Sequence, residues 1–561
     1  MEKSCANTVP KTQQAIELVG PDKLVLNKSK KVFCPDKYQI LCRIEAVGLC
    51  FSDLKLLKQF SGHARKSEIV SGVQQDVLKD IPSYVPGDAA TVPGHETVVR
   101  VVKVGSEVNN IEVGGRYIVQ TDYRWLATAN SVAAFGYNFE GALQEYVLMD
   151  QRIITSPEGD SMLIPVSENL SSSAAALIEP WACVEDAYSC KERQGIKTEG
   201  LMLIVADKKV ERCVLYDFFR KYGKPAQITW ISKFSFPANL DCKINITVSI
   251  SEVENDSCDD ILYFGSDAQT VEKLFHKVAS HGLLNIVLCG GEFTGNVNSP
   301  VGRVHYGGIR IIGTTGDNPG ESMEFIPQTG EIRHGDKINI VGAAGPMGLM
   351  HVVRNICQKI NGIAIYASDI DDKRLKALTN IAEPLAKRNR VEYKPYNSAK
   401  TKVEDSFDYT VLMAPIPDLV VSATQSASRN GIINIFAGIP ATVYADINLN
   451  EYIKKHLYYI GTSGSTIEDM KVILNKVENS NLDTNVSVAA ISGLDGAIDG
   501  IRAIENRTIA GKIIVYPGLK DIGLTTLEQL SKTMPQVAEH LNMGLWAIQA
   551  EHKLLEDKIK K

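Results

Sequence analysis

The chain has 561 residues, which is too many for one hydrophobic core and predicts three or four domains. Its 60 basic and 66 acidic side chains give a net charge of −6, which excludes the basic surface that nucleic-acid binding requires. With 44% hydrophobic and 22% charged residues, the composition is that of a globular protein. No stretch reaches the ~18 apolar residues of a membrane span, and the N-terminus lacks the apolar segment of an export signal. The 11 cysteines are scattered, which favours free or metal-bound thiols in a reducing cytoplasm.

Short runs of β-type sequence occupy the chain up to about residue 195. Valine-rich and alternating segments, each bounded by Gly, Pro or Asn, lie at residues 38–48, 95–105, 115–120 and 141–149. This pattern predicts an antiparallel, barrel-like β domain.

Two segments interrupt the β pattern. Residues 61–90 are rich in Lys, Gln and Ser and predict an insertion or a flexible loop. After residue 172 the run SSAAALIEPWACVEDAYSCKERQG predicts a helix that leads into a new domain.

Two α/β segments follow, and they resemble each other. Three pairs of motifs recur at offsets of 147 to 149 residues: DDILYFG (259–265) with FDYTVLMA (407–414), SHGLLNIVLCGG (280–291) with SRNGIINIFAGIP (428–440), and GTTG (313–316) with GTSG (461–464). Strand–turn sequences can look alike by chance, but a constant offset over three blocks favours an internal repeat. The repeat predicts two tandem βαβ domains of the nucleotide-binding type.

The domain organisation follows from these patterns. A β-rich segment, VSVAAISGLDGAIDGIRAIENRTIAGKIIVYP (486–517), ends the second copy, and the last 44 residues have helical spacing and mixed charge. The predicted divisions are a β domain (1–196), a first α/β copy (197–330), a second α/β copy (331–480), a segment that returns to the β domain (481–517) and a helical extension (518–561).

The second α/β copy opens with a dinucleotide fingerprint, KINIVGAAGPMGLMHVVRNI. A buried strand (338–341) runs into a glycine turn containing Gly342, Gly345 and Gly348, and then into a helix. Glycine lets the backbone approach a pyrophosphate, whose charge lies at the helix N-terminus. The next strand ends at Asp369, where a carboxylate can accept hydrogen bonds from a ribose diol and repels a 2′-phosphate, which favours NAD over NADP. A glycine turn alone is weak evidence, and Ala343 occupies the first glycine position of the pattern, but the order of the elements predicts dinucleotide binding.

The first α/β copy has lost this fingerprint. Alignment of the two turns puts Lys209 at the place of Gly345 and Arg212 at the place of Gly348, where long side chains would obstruct a dinucleotide. The favoured interpretation is a copy kept for packing. The alternative is that Lys208, Lys209 and Arg212 bind a phosphate or an acidic substrate by charge.

The β domain carries residues of the types that bind zinc. Cys50 lies in GLCFSD, His95 and Glu96 follow 45 residues later in PGHE, and Glu179 lies in the Glu-Pro pair where the helix begins. A thiolate, an imidazole and carboxylates on one domain can bind zinc and leave one position open. Taken singly, Cys50 could be a small buried hydrophobe, His95 a core histidine and Glu179 a solvated helix start.

Together these motifs resemble the zinc-dependent medium-chain alcohol and polyol dehydrogenase family. The matching segments, in the family's order, are GLCFSD, PGHETVVRVVKVG with VGGRYIV, ALIEP, IVGAAGPMG with SDIDDKRL, and AGKIIVYP. The resemblance covers about residues 20–517 and implies an α/β plus β fold. That fold is a GroES-like β-barrel catalytic domain with two tandem Rossmann-type domains, doubly wound around parallel sheets, and a helical C-terminal extension.

The resemblance also implies roles for individual residues. Cys50 and His95 would be the common zinc ligands, and Glu96 and Glu179 the acidic ligands of the sorbitol and threonine dehydrogenase branches. Asp53 would fix the imidazole of His95, and Ser52 would pass the substrate proton outward. The residues assigned to the cofactor are Gly342, Gly345, Pro346, Met347, Gly348, Asp369 and Arg374.

Three departures from the family stand out. The interval from Cys50 to His95 is longer than usual, which accommodates residues 61–90. Residues 97–150 contain no cysteine, so a single zinc is predicted and no structural one. The extra α/β copy leaves open which of the two copies faces the zinc.

The leading hypothesis is a cytoplasmic zinc- and NAD-dependent oxidoreductase. It would transfer a hydride between NAD(H) and a secondary alcohol or ketone of a polyol, sugar or sugar phosphate. Its expected partner is a small-molecule alcohol or ketone, with no nucleic acid and no membrane, and relatives of this kind suggest a homo-oligomer. The alternatives are a zinc-free quinone or enoyl reductase, and a non-catalytic nucleotide-sensing protein.

Overall fold

The computed structural model describes residues 9–237, 240, 242–462 and 464–559. The N-terminal segment that carries no export pattern, up to residue 8, and Ser463 of the GTSG motif lie outside the described residues. The chain divides into two compact units: the described residues up to Cys183 together with those from Ser465 onward, and Val184–Gly464. None of the described helices is both long enough and apolar enough to cross a bilayer.

The first 189 residues hold nine strands and five helices among those described. The strands are β1 (Thr12–Leu18), β2 (Leu24–Lys31), β3 (Gln39–Gly48), β4 (Glu96–Val104), β5 (Arg116–Val119), β6 (Asp122–Ala127), β7 (Val132–Ala134), β8 (Tyr146–Asp150) and β9 (Leu163–Pro165). The helices are α1 (Phe51–Gln59), α2 (Gln75–Lys79), α3 (Gln151–Ile154), α4 (Ser172–Ala176) and α5 (Ile178–Ser189).

The middle of the chain alternates strands and helices. The strands are β10 (Leu201–Ala206), β11 (Gln227–Ser232), β12 (Lys243–Ile246), β13 (Cys258–Phe264), β14 (Val278–Val287), β15 (Val297–Ser299), β16 (Arg310–Thr314), β17 (Lys337–Val341), β18 (Ala364–Asp369), β19 (Glu392–Asn397), β20 (Phe407–Leu412), β21 (Ala427–Asn434), β22 (Ala445–Ile447) and β23 (Tyr458–Ile460). The helices are α6 (Arg212–Tyr222), α7 (Ala268–Phe275), α8 (Val301–Tyr306), α9 (Pro319–Met323), α10 (Pro346–Cys357), α11 (Asp372–Asn389), α12 (Pro417–Ser426) and α13 (Leu449–Lys454).

The C-terminal part returns to the first unit. Its elements are α14 (Ile467–Glu478), β24 (Val488–Ser492), α15 (Ala497–Glu505), β25 (Lys512–Val515), β26 (Thr525–Thr526), α16 (Leu527–Thr533), α17 (Pro535–Ala538) and α18 (Ile548–Ile559).

A mixed eight-stranded sheet organises the first unit. Its strand order is β26-β24-β25-β3-β4-β5-β9, and β8 also pairs with β3. Strand β25 runs antiparallel to β3, with Ile514 opposite Gly48. The last strands of the chain therefore complete the sheet that the N-terminal strands begin.

The second unit contains two six-stranded parallel sheets with the same topology. Their orders are β12-β11-β10-β13-β14-β16 and β19-β18-β17-β20-β21-β23. In each sheet the first strand of the copy lies in the middle and the chain winds outward to both edges, which is the doubly wound dinucleotide-binding order. The internal repeat thus corresponds to two copies of one topology.

The two copies pack through equivalent elements. Strand β15 of the first copy pairs antiparallel with β22 of the second, with Asn298 opposite Asp446. These two residues occupy equivalent repeat positions, so the pairing has the self-complementary pattern of a two-fold interface. Ile286 and Ile433, from equivalent strands of the two copies, belong to one hydrophobic core. The copies therefore depend on each other for burial of apolar surface.

Residues 61–90 differ from the flexible loop that their composition suggests. They form two short 3₁₀ turns, Phe60–Gly62 and Ala64–Lys66, and helix α2. Ile69, Leu78 and Ile81 are at most 3% exposed and join the core of the first unit. This segment, which we name the insertion, is therefore packed against the β domain.

The C-terminal extension docks on the helices that precede Glu179. The buried carboxylate of Glu551 on α18 accepts hydrogen bonds from the backbone N–H of Ser173 (2.9 Å) and from the hydroxyl of Tyr516 (2.8 Å). The indole of Trp546 donates to the hydroxyl of Ser173 at 3.1 Å. The extension is thus part of the first unit.

Candidate metal centre and dinucleotide site

Three of the four predicted metal ligands come together in the first unit. Cys50, His95 and Glu96 each offer one donor atom, and these atoms lie within 4.8 Å of one another. Cys50 caps the N-terminus of α1 just after β3, and Glu96 begins β4 directly opposite Gly48 of β3. The antiparallel pairing of β3 and β4 therefore brings together ligands that are far apart in sequence.

Glu96 is buried, and only one of its two carboxylate oxygens has a hydrogen-bond partner among the described residues. Its side chain is fully inaccessible, and its Oε1 accepts a hydrogen bond from Lys512, which begins β25. Its Oε2 has no hydrogen-bond partner among the described residues. A Cβ at Gly48 would lie 2.3 Å from that Oε2, so glycine at this position leaves the space that the carboxylate occupies. A buried carboxylate oxygen without a partner is costly unless a cation or a donor meets it.

Asp53 holds two of the candidate ligands at once. Its Oδ1 lies 3.1 Å from Nδ1 of His95, and its Oδ2 accepts the backbone N–H of Cys50 at 3.1 Å. Burial disfavours the charged imidazole, yet Asp53 and Tyr137 together raise the pKa of His95 well above its ordinary value. The contact at Nδ1 leaves Nε2 as the ring nitrogen that faces the other ligands.

Ser52 lies between the thiol and the imidazole. Its hydroxyl is 3.1 Å from Sγ of Cys50 and 3.2 Å from Nε2 of His95. It also shares a hydrogen bond with the buried phenol of Tyr137. The hydroxyl that the resemblance assigns to proton transfer is therefore in contact with both candidate ligands.

Glu179 lies outside the group of three but close to it. Burial raises the pKa of its carboxyl to about 7, with Glu96 adding to the shift and His95 opposing it. Its Oε1 accepts a hydrogen bond from the thiol of Cys183 at 3.4 Å, one helical turn later on α5. A buried carboxyl with a perturbed pKa beside an imidazole and a thiol is typical of a functional site.

Sequence reasoning missed several residues around this centre. Lys512 lies in the AGKIIVYP motif, where a lysine in an apolar strand was the available signal, but its partner Glu96 is distant in sequence. Tyr137 packs against the ring of His95 at a centroid distance of 5.8 Å. Arg65 of the insertion forms an ion pair with Asp122 at 2.7 Å. No local pattern marks Tyr137 or Arg65.

The glycine turn of the second copy has the geometry that its sequence predicts. Gly342 adopts a positive φ of +82°, which side chains other than glycine rarely do. A Cβ at Gly348 would lie 2.5 Å from the carbonyl oxygen of Gly342, so the helix can approach the strand only with glycine there. Gly345 caps helix α10, whose first residues are Pro346 and Met347. The N-cap position of α10 therefore carries no side chain where a pyrophosphate would approach.

Asp369 and Arg374 lie beside this turn. Asp369 ends β18 and is 9% exposed, and its carboxylate accepts the backbone N–H of Ala344 at 3.1 Å. Nη2 of Arg374 is 3.8 Å from the position that a Cβ on Gly345 would take. Its Nε is buried with no hydrogen-bond partner among the described residues. The turn, Asp369 and Arg374 therefore form one cluster.

The corresponding turn of the first copy is built differently. Asp207 follows β10 and accepts a hydrogen bond from the hydroxyl of Tyr263 at 2.6 Å. Lys209 forms an exposed ion pair with Glu211 at 3.0 Å, and α6 begins at Arg212. Exposed ion pairs contribute little to stability, and the long side chains stand where the second copy has glycine.

The match to a known domain family covers the metal centre. Residues 36–158 match the alcohol dehydrogenase GroES-like domain, and this range includes Cys50, His95 and Glu96. This match identifies residues 36–158 as a GroES-like domain of the kind found in alcohol dehydrogenases. The range also includes the insertion.

Individual relatives are distant. The chain is 26% identical to the uncharacterised protein YggP of Escherichia coli (strain K12) over 246 residues, which is 40% of this chain and 57% of that protein. It is 25% identical to L-sorbose 1-phosphate reductase of Klebsiella pneumoniae over 224 residues, which is 38% of this chain and 54% of that protein. The chain thus spans little more than half the length of these curated relatives.

A solved structure shares the fold. The 2R,3R-butanediol dehydrogenase of Bacillus subtilis aligns with a TM-score of 0.51 at 15% identity, over 90% of this chain and all of that one. At this identity the likeness concerns the fold alone.

Proposed function

We propose that this protein is a zinc- and NAD-dependent oxidoreductase of the alcohol dehydrogenase type. It would interconvert a secondary alcohol and a ketone on a polyol, sugar or sugar phosphate. The observation that carries the proposal is the group formed by Cys50, His95 and Glu96, whose donor atoms lie within 4.8 Å of one another.

The chemistry of this group fits zinc. Thiolate sulfur, imidazole nitrogen and carboxylate oxygen are the donors that zinc prefers, and three protein ligands leave one position for a substrate. Oε2 of Glu96, which has no hydrogen-bond partner in the described part of the chain, is a buried acceptor that a cation would satisfy. Glu179, whose carboxyl is buried nearby, is proposed as a further acidic ligand or as a group that exchanges with Glu96. Among the described residues this is the group with such a donor set.

The residues around the group have defined tasks in this proposal. Zinc bound there would polarise the substrate oxygen and lower the pKa of the alcohol. Asp53 fixes the imidazole of His95 so that Nε2 points to the centre. The hydroxyl of Ser52, which contacts both Cys50 and His95, would take the proton of the substrate hydroxyl as it releases its own proton to solvent, and this relay would run backwards when a ketone is reduced.

The glycine turn of the second copy is the proposed nicotinamide dinucleotide site. Gly345 would leave room for the pyrophosphate, Gly348 lets the helix approach the strand, and Asp369 would accept hydrogen bonds from the adenosine ribose. Its negative charge disfavours a 2′-phosphate, so NAD is preferred over NADP. Replacement of Asp369 by Ser should weaken NADH more than NADPH in fluorescence titrations, and equal losses would contradict the assignment.

The substrate class is the least constrained part of the proposal. The names of two relatives, L-sorbose 1-phosphate reductase and mannitol-1-phosphate 5-dehydrogenase of Aliivibrio fischeri, point to phosphorylated sugars and polyols. We therefore place sugar phosphates first in the panel of substrates, followed by free polyols and ketoses.

Metal content and turnover test the proposal together. Purified protein should contain about one zinc per chain by atomic emission, and Cys50→Ser should lose both the zinc and the reduction of ketoses by NADH. Cys34→Ser is the matched control, because Cys34 is an exposed free cysteine remote in sequence from the group. Zinc-free protein that turns over at the wild-type rate would refute the metal assignment and favour the zinc-free reductase branch.

Location and assembly complete the proposal. Cys42, Cys50 and Cys183 form no disulfide, which fits a reducing cytoplasm. We also propose a homo-oligomer, formed through a face other than the β15–β22 edge, which is already paired within the chain. Light scattering coupled to size-exclusion chromatography measures the mass of the particle, and a monomer would contradict this part.

A further inference from the structure

The insertion brings two basic side chains to the aromatic ring next to the metal centre. Cζ of Arg65 lies 5.4 Å from the centroid of the Tyr137 ring, and the ring of His63 lies 5.1 Å from the same centroid. Tyr137 is 2% exposed and packs on its other neighbour, His95, at 5.8 Å. One buried ring therefore separates the insertion from a candidate zinc ligand.

The charge of Arg65 acts on residues that surround the candidate metal centre. Its guanidinium interacts electrostatically with Asp122, Tyr137, Glu179 and Cys183, and the pKa of Arg65 is raised although burial opposes the charge. Cζ of Arg65 and the ring of His95 lie 5.4 and 5.8 Å from the Tyr137 centroid, so they are at most about 11 Å apart. A substrate that extends from the centre past the edge of the Tyr137 ring would meet this guanidinium.

The ion pair with Asp122 orients Arg65 without using all of its donors. Nη1 and Nη2 contact the two carboxylate oxygens of Asp122, at 2.7 and 3.2 Å. A guanidinium has five N–H donors, so this pairing leaves others for a second anion. The Arg65 side chain is 27% exposed whereas that of Asp122 is 9% exposed, so the accessible partner is the cation. A planar guanidinium held in this way suits a phosphate group.

We propose that Arg65 is a specificity-determining residue that binds the phosphate of a phosphorylated sugar or polyol substrate at the metal centre. The proposal rests on the proposed function and narrows its substrate class from polyols in general to phosphate monoesters. In this proposal the insertion has a function, because it contributes to the GroES-like domain the arginine that binds phosphate. His63 lines the same side of Tyr137 and accepts the backbone N–H of Arg65 at 3.2 Å, which stiffens the turn that presents the guanidinium.

Kinetics on paired substrates test this role in the zinc-loaded enzyme with NADH. L-sorbose 1-phosphate and L-sorbose differ by the phosphate alone, so Arg65→Met should raise the KM for the phosphate ester by roughly tenfold to a hundredfold and leave the KM for the free sugar within about twofold. Lys79→Met is the matched control, because Lys79 is an exposed cation of the same insertion that pairs with Asp76. It should change neither KM.

Inorganic phosphate supplies a readout that needs no turnover. Its binding to the zinc-loaded protein, followed by the broadening of its ³¹P resonance, should weaken in Arg65→Met and remain in Lys79→Met. Because loss of Arg65 leaves Asp122 unpaired, the double variant Arg65→Met with Asp122→Asn serves if the single variant does not fold. Equal effects of Arg65→Met on both sugars, or phosphate binding that Arg65→Met leaves unchanged, would overturn the inference. Absence of any zinc-dependent turnover would instead refute the proposed function, and the phosphate titration would still decide the role of Arg65.

Discussion

The ammonium of Lys512 and the carboxylate of Glu96 form an ion pair in which the two side chains are only 4% and 0% exposed. The pairing of β25 with β3, and of β3 with β4, brings the two charges together from opposite ends of the chain. Although burial disfavours the ammonium, Glu96 and Cys50 raise the pKa of Lys512 above its ordinary value. A positive charge thus compensates one oxygen of Glu96 and leaves the other directed to the proposed metal.

Loss of that positive charge should destabilise the metal-free protein. We expect Lys512→Met to lower the free energy of unfolding by about 3–5 kcal/mol, because it leaves a carboxylate buried without a partner. Urea unfolding monitored by circular dichroism measures the loss. The double variant Lys512→Met with Glu96→Gln should recover most of it, since a neutral amide costs less to bury. An equal loss in the single and double variants would show that the charge of Glu96 is not the cause.

Asp53 should control metal affinity without being a ligand. Asp53→Asn should weaken zinc binding by about 10- to 100-fold, because the imidazole of His95 loses the carboxylate that orients it and increases its basicity. Competition with a chromophoric chelator measures the affinity. Asp76→Asn, at a carboxylate that is 91% exposed in the insertion, is the control and should bind zinc as the wild type does. Unchanged affinity in Asp53→Asn would remove Asp53 from the metal centre.

Substitution of two glycines in the nucleotide turn should have different effects, one on NADH affinity and the other on stability. A Cβ at Gly345 meets nothing nearer than 3.7 Å, so Gly345→Ala should fold normally but lose about tenfold or more in NADH affinity, or about 1.4 kcal/mol. A Cβ at Gly348 would strike backbone oxygens at 2.5 and 2.6 Å, so Gly348→Ala should cost about 1–3 kcal/mol of stability. Fluorescence titration and thermal unfolding separate the two effects. Wild-type NADH affinity in Gly345→Ala would argue against a pyrophosphate at this turn.

The buried His351 on α10 should make the second unit sensitive to acid. Burial, together with the charge of Arg354, lowers its pKa to about 3, and its Nδ1 lies 2.7 Å from the hydroxyl of Tyr188. In the unfolded chain the imidazole titrates near 6.5, so between pH 6.5 and 3 the unfolded state binds the extra proton and stability falls as the pH falls. Because of this residue, the free energy of unfolding should fall by about 2 kcal/mol from pH 7 to pH 5.

Comparison with a neutral side chain isolates this contribution. His351→Gln can keep a hydrogen bond to Tyr188 but does not titrate. On acidification from pH 7 to pH 5, the wild type should therefore lose about 2 kcal/mol more unfolding free energy than the variant does. Urea unfolding at both pH values measures the shift, and a difference independent of pH would show that folding does not lower the pKa of His351.

The elements that local patterns define could be predicted from the sequence. The β-type runs at 38–48 and 95–105 correspond to Gln39–Gly48 and Glu96–Val104, and the strand before the glycine turn lies at Lys337–Val341. Alternation and glycine placement determine these elements within a few residues. The juxtaposition of Cys50 with His95 followed from the resemblance rather than from spacing.

Long-range packing limits what the sequence predicts. The pairing of Lys512 with Glu96 depends on the order of strands in a sheet, and the position of Arg65 depends on how the insertion folds back over Tyr137. The orientation of Glu179 depends on the packing of its helix, which is why it lies outside the compact group although its motif is clear. The polar composition of the insertion also concealed the three apolar residues that anchor it.

The antiparallel contact between Asn298 and Asp446 has a consequence for how the two copies could diverge. In an assembly of identical subunits, every substitution appears in both subunits. One subunit therefore cannot lose a ligand site that the other keeps. Covalent linkage removes this constraint, and one half has exchanged its glycines for long side chains while the other retains them. Linkage also makes the association independent of protein concentration, so dilution cannot separate the half that carries the glycine turn from the half that supports it.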